Sequence, residues 1–89
     1  MKISNVKLFL DGRFTTGGMA FGKTIEDIGP QVTGGVDGRG CYLIPGLIDI
    51  HTHGAMGEDA SDGKPEGHVK MARHYAAGGV TSWCPTTMT

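Results

Sequence analysis

With 89 residues, the chain has room for one or two small folded units, and it falls far short of the ~250 residues of a complete (β/α)8 barrel, which excludes a self-contained barrel enzyme. Hydrophobic residues make up 38% and charged residues 19%, a composition that folds rather than stays disordered, and a net charge of −1 without clustered Lys or Arg argues against nucleic acid. The longest strictly apolar run, Cys41 to Ile44, is four residues, so neither a membrane span nor a secretory leader is expected and the cytoplasm is the default location.

Near the start, Val6, Leu8 and Leu10 alternate with Asn5, Lys7 and Phe9, the period of a half-buried strand. Asp11-Gly12 follows, before Arg13-Phe14-Thr15. This pair supplies the positive φ angles of a type I′ turn and predicts a β-hairpin. Lys23 to Ile28 predicts another strand, ended by Gly29-Pro30, and Gly34-Gly35 and Asp37 to Gly40 read as turns. The 16 glycines, well above the average of roughly 7%, cluster between apolar runs and mark a loop-rich chain. Residues 1–44 are therefore expected to form several short antiparallel strands. Cys41 and Cys84 lack CxxC spacing and are expected as free, reduced and buried thiols.

At Pro45-Gly46 the character changes: the compact apolar strand Leu47-Ile48-Asp49-Ile50 runs straight into His51-Thr52-His53-Gly54. Ala55 to Lys64 reads as a loop, and Pro65-Glu66 opens a helix with proline near its first position. Val69, Ala72, Tyr75 and Ala76 fall near helical spacing, Glu66 and Lys70 form an i,i+4 pair, and Gly78-Gly79 stops the helix. Val80 to Cys84 is a second strand, ended before Pro85 because proline cannot donate to a ladder. Strand, helix and strand make one βαβ unit, the element of a parallel α/β fold.

Strand alternation places Asp49, His51 and His53 on one face, with Ile48, Ile50 and Thr52 on the other. Two imidazoles on one side can present nitrogens to one divalent ion of the zinc class. A His-x-His alone is as readily a pair of polar residues at a strand end. The apolar strand, the acid on the same face, the immediate Gly54 and the βα connection narrow the pattern towards metal. Asp49 has two open readings: a carboxylate that orients a ligand imidazole, or a buried acid bonded to backbone. Gly54 and Gly57 either keep the loop open or satisfy positive φ. His68 and His74 belong to the helix and are excluded from the site, Glu58, Asp59 and Asp62 read as solvated charge, Cys84 as a structural thiol, and Trp83 as packing against helices.

The run Pro45 to Gly54, PGLIDIHTHG, resembles the first-strand signature of the amidohydrolase superfamily. Within it, Gly54 to Asp59 and Gly79 to Thr87 resemble the N-acetylglucosamine-6-phosphate deacetylases, whereas dihydroorotase-like and hydantoinase-like chains carry Phe-Arg where this one has Gly54-Ala55. The likeness covers residues 36–89 well and residues 1–35 in general style. It implies an α/β fragment of a larger fold, with residues 1–44 as part of a small β-sandwich domain and residues 45–89 as the first βαβ unit of a (β/α)8 barrel. It further implies a metal-activated water attacking an amide carbonyl, converting N-acetylglucosamine 6-phosphate to glucosamine 6-phosphate and acetate.

On that resemblance His51 and His53 map onto metal-ligand positions for zinc, iron or another transition metal, although some members replace this pair and hold one metal elsewhere. The other ligands and the catalytic aspartate come from later strands, so no catalytic residue is expected within these residues and the chain alone is expected to be inactive. The partner is a small amino-sugar phosphate, and unpaired strand edges predict a homo-oligomer. A cyclic-amide hydrolase and a non-catalytic, self-associating truncated chain are the alternatives.

Overall fold

The computed structural model describes residues 1–88. The architecture is mixed α/β, mostly strands with one α-helix, and it divides between Ile44 and Pro45 into two compact units.

In the first unit, β1 (Lys2–Leu10) and β2 (Arg13–Phe21) form an antiparallel hairpin. Its turn residues Asp11 and Gly12 have φ of 51° and 79°, the pair of positive angles that a type I′ turn requires. β3 (Ile25–Gly29) lies antiparallel to β2. It begins later than the expected Lys23 because residues 22–24 make a tight turn, the Gly22 N–H donating to the Thr24 carbonyl at 3.0 Å.

The remaining strands depart from the antiparallel expectation. β4 (Val36–Asp37) and β5 (Tyr42–Leu43) both pair with β1 in parallel, on the edge away from β2. After β3 the chain reaches this far edge and runs along β1 in the same direction. Asn5, at φ 54°, interrupts β1, and the two short strands join it on either side of that irregularity. Gly38 N–H donates to the Ser4 carbonyl at 2.7 Å, Gly40 N–H to that of Asn5 at 2.7 Å, and Lys7 N–H to that of Cys41 at 2.8 Å. Among the described residues these strands form one five-stranded sheet, a single layer of the two that a sandwich stacks. Val6, Leu8 and Val32 are its buried apolar residues.

Asp37 holds the β4 turn together. Its Oδ1 accepts from the Arg39 backbone N–H at 2.8 Å and from Asn5 Nδ2 at 2.9 Å, and these bonds, the backbone one foremost, lower its pKa below the ordinary carboxylate value. A carboxyl depressed on folding contributes stability that is present above its unfolded pKa and lost as pH falls through its folded one. Denaturant unfolding followed below about pH 4 should therefore show a steeper acid loss for the natural chain than for Asp37→Asn, which has no proton to take up. Parallel acid limbs would contradict this.

The second unit contains β6 (Leu47–Thr52), β7 (Gly54–Ala55), β8 (Glu58–Asp59), a 3-10 turn over Ala60–Asp62, α1 (Pro65–Ala77) and β9 (Val80–Pro85). β6 and β9 are parallel and joined through α1. The expected loop after His53 is more ordered than its composition predicts. β7 and β8 pair as a small antiparallel hairpin around Met56 and Gly57, whose φ angles are 55° and 78°. Pro65 starts α1, whose C-terminal turn passes through Gly78 to Gly79 at φ 92°.

Two details differ from expectation. Pro85 lies inside β9, in register with Thr52. Proline is tolerated because β9 has one ladder, to β6, among the described residues, and Thr86 N–H makes the next bond, to the Thr52 carbonyl at 2.7 Å. Lys70 pairs with Glu58 at 3.5 Å, not with Glu66, so Glu58 is a half-buried partner of α1 and not a solvated charge. Trp83 packs on α1 as expected, its ring centroid 5.2 Å from that of Tyr75. The small apolar core beneath the helix is Met71, with no exposed surface, and Ala60.

Candidate metal centre

His51 lies in β6 and His53 directly follows its last residue, and the two candidate ligands meet there. His51 Nε2 lies 3.1 Å from His53 Nε2, with the rings edge-on at 88°. Two nitrogens bound to one tetrahedral zinc at ~2.0–2.1 Å stand roughly 3.3–3.4 Å apart. The pair is thus spaced almost as a shared ion requires, and a shift of a few tenths of an ångström would admit one.

The protons on these rings follow from their partners. His53 Nδ1 lies 2.8 Å from the Thr86 carbonyl oxygen, which can only accept, so Nδ1 carries the hydrogen. In neutral His53 the lone pair is therefore on Nε2, aimed at His51, and the 3.1 Å contact is an Nε2–H of His51 donating to it. A carbonyl behind one imidazole nitrogen, with the other left bare, is the arrangement that orients histidine ligands in metalloproteins. His53 is held at its backbone as well, its carbonyl accepting from Ala60 N–H at 2.7 Å.

Thr86 was not a sequence candidate. It is far from His53 along the chain, and its contribution is a main-chain oxygen, which no residue type announces. Only the β6–β9 pairing could have pointed to it.

Asp49 has a main-chain partner. Its Oδ1 accepts from the backbone N–H of His51 at 3.0 Å, the second of its two open readings, although the acid is half-buried and not fully enclosed. The register of β6 against β9 shifts between Asp49 and Thr52. Asp49 stands beside Trp83 in the ladder, while His51 and His53 converge on each other.

The glycines of the site have separate tasks. Gly54 is not at positive φ. A Cβ there would meet the Glu58 carbonyl oxygen across the β7–β8 hairpin, so glycine permits close approach of two backbones. Gly57 has positive φ and serves the turn. His68 lies in the first turn of α1, its Nδ1 2.9 Å from the Lys64 carbonyl, and stays out of the site with His74. Cys41 and Cys84 are free thiols, and both are exposed, contrary to the expected burial. Among the described residues, no third His, Cys, Asp or Glu joins the histidine pair as a metal-holding group.

The chain shares sequence with characterised enzymes over part of its length. It is 49% identical over 47 residues to N-acetylgalactosamine-6-phosphate deacetylase of Escherichia coli O157:H7, covering 53% of this chain and 12% of that protein. It is 45% identical over 47 residues to N-acetylglucosamine-6-phosphate deacetylase of Vibrio furnissii, with the same coverage of 53% and 12%. This chain resembles part of N-acetylglucosamine-6-phosphate deacetylase. The enzyme of that name from Bos taurus is 43% identical over 56 residues, 60% of this chain and 14% of its own. The likeness thus spans about an eighth of the length of these relatives. No family model and no solved structure matches the chain. Among the described residues no helix is long and apolar enough to cross a membrane.

Proposed function

We propose that these residues are a portion of a metal-dependent amidohydrolase that removes the acetyl group from an N-acetylhexosamine 6-phosphate, with His51 and His53 as metal ligands. The observation that carries this reading is the 3.1 Å convergence of the two Nε2 atoms, with His53 Nδ1 tied to the Thr86 carbonyl. Borderline-soft nitrogen donors suit zinc, and also iron or another divalent transition metal. The substrate is N-acetylglucosamine 6-phosphate, with its galactose-configured counterpart as a competitor because one relative bears that name. The products are acetate and the free amine, formed in the cytoplasm.

The parallel β6-α1-β9 unit is read as the opening of a (β/α)8 barrel, with the sites at the carboxyl ends of its strands. A divalent ion supplies a water of lowered pKa and polarises the amide carbonyl. The residues of this chain contribute the ion's seat. Thr86 sets the His53 tautomer, and the Asp49 carboxylate shapes the backbone between the strand and its ligands. Catalytic zinc sites use three protein ligands, so the third ligand and the group that moves the proton belong to residues outside these 89, and the chain alone does not turn over.

Zinc titrated calorimetrically into the chain should bind, and the affinity should fall at least tenfold in His51→Ala/His53→Ala. Acetate should be released from one of the two sugar phosphates by the complete gene product, and not by the 89-residue chain. Equal zinc binding by chain and variant, with no acetate from either substrate, would sink the reading. A second reading has its own support: Ile48 and Ile50 of β6 are 69% and 78% exposed beside strand edges that have no partner among the described residues, which favours a non-catalytic, self-associating chain. Absence of zinc binding together with concentration-dependent sedimentation would select it.

A further inference from the structure

The tautomer of His53 is set by the Thr86 carbonyl just after β9, and its backbone is held by the Ala60 N–H of the 3-10 turn. A third support comes from α1. Tyr75 sits in the last turns of the helix, half-buried against Trp83, and its hydroxyl reaches both neighbours of His53. It lies 3.0 Å from the Gly54 carbonyl oxygen and 2.6 Å from Thr52 Oγ1. A carbonyl only accepts, so the single phenolic hydrogen goes to Gly54, and Thr52 Oγ1–H must donate to the tyrosine oxygen. One hydroxyl therefore grips the side chain before His53 and the main chain after it.

We infer that Tyr75 is a positioning residue for the histidine pair, clamping residues 52 and 54 so that the His53 ring stays on the Thr86 carbonyl with its Nε2 directed at His51. The inference rests on the proposed metal site for its functional meaning, but its geometry stands without it. Packing alone does not require the hydroxyl: the ring of Tyr75 packs at a tilt of 56° against Trp83, and phenylalanine would preserve that contact. The two bonds hold the side chain of the residue before a candidate ligand and the main chain of the residue after it, where a displacement of an ångström decides whether two nitrogens can share an ion.

The test uses the 89-residue chain, its Tyr75→Phe variant and, because a helix residue can affect folding, Thr52→Val and Thr52→Ser. Two quantities are read: the imidazole 15N shifts of His53 without metal, which report its tautomer, and zinc affinity by calorimetry. In Tyr75→Phe the His53 signals should move from a single tautomer towards the averaged position, and zinc affinity should drop about tenfold, the lower end of the loss seen when groups behind metal ligands are removed. Thr52→Val should follow in the same direction, and Thr52→Ser, which retains the donor, should behave as the natural chain. If Tyr75→Phe also melts early, Thr52→Val decides the matter. Unchanged His53 shifts, or unchanged affinity in a chain that binds zinc, overturns the inference. Changed shifts in a chain that binds no zinc leave Tyr75 as the clamp and defeat the metal reading instead.

Discussion

Gly18→Ala is expected to unfold the first unit. A Cβ at residue 18 would lie 2.6 Å from the Ile3 carbonyl oxygen, 2.7 Å from that of Val32 and 3.1 Å from Ser4 Cα. All three are main-chain atoms: two on β1 and one on the segment after β3. A flexible side chain could swing aside, but relief here requires two stretches of backbone to separate. Overpacking costs about 1–3 kcal/mol and more when the backbone must move.

The unit has little to set against that loss. Its buried apolar residues are Val6, Leu8 and Val32, and single small cores rarely supply more than about 3–5 kcal/mol. Amide hydrogen exchange in β1 and β2, with far-ultraviolet circular dichroism, should show protection lost in Gly18→Ala. Gly22→Ala is the control, because its Cβ would meet the Glu26 Oε1 at 3.1 Å, the movable end of a side chain. Equal protection in both variants would show that the sheet yields at Gly18 and that the contact is not limiting.

Met71→Ala should have the largest effect on the second unit. Met71 has no exposed surface, and its buried companions are Ala60 and the backbone of Gly67. Truncating a buried methionine costs about 2–5 kcal/mol, according to how far the site collapses. With so few buried side chains under α1, the helix should lose its seat on the β6–β9 pair. Tyr75 and its bonds would go with it.

Met71→Ala should therefore lose both the Trp83 fluorescence signature of packing on Tyr75 and zinc binding, whereas Tyr75→Phe should weaken zinc at unchanged melting temperature. Met71→Leu, close in volume, should cost less than ~1.5 kcal/mol and retain both. A Met71→Ala chain that melts as the natural one does would mean that α1 is held by its edges, through Glu58–Lys70 and Tyr75, and not by its buried face.

What the sequence determined by itself was local. The β1–β2 turn follows from Asp11-Gly12 because few residue pairs accept two successive positive φ angles, and the span of α1 follows from Pro65 and Gly78-Gly79, which act within a turn of their own position. The spacing of His51 and His53 brought their rings to one side because strand geometry repeats every second residue. The sequence left the partner of Asp49 open, and its carboxylate accepts from the His51 main chain where the β6–β9 register shifts. Tertiary structure alone decided the parallel edge strands on β1, the exchange of Glu66 for Glu58 as partner of Lys70, and the supports of His53. Those supports are the Thr86 carbonyl and the Tyr75 hydroxyl. Both reach the site only because β9 returns beside β6 and α1 crosses over them, and a main-chain acceptor or a lone hydroxyl distant in sequence leaves no periodicity from which that meeting could be read.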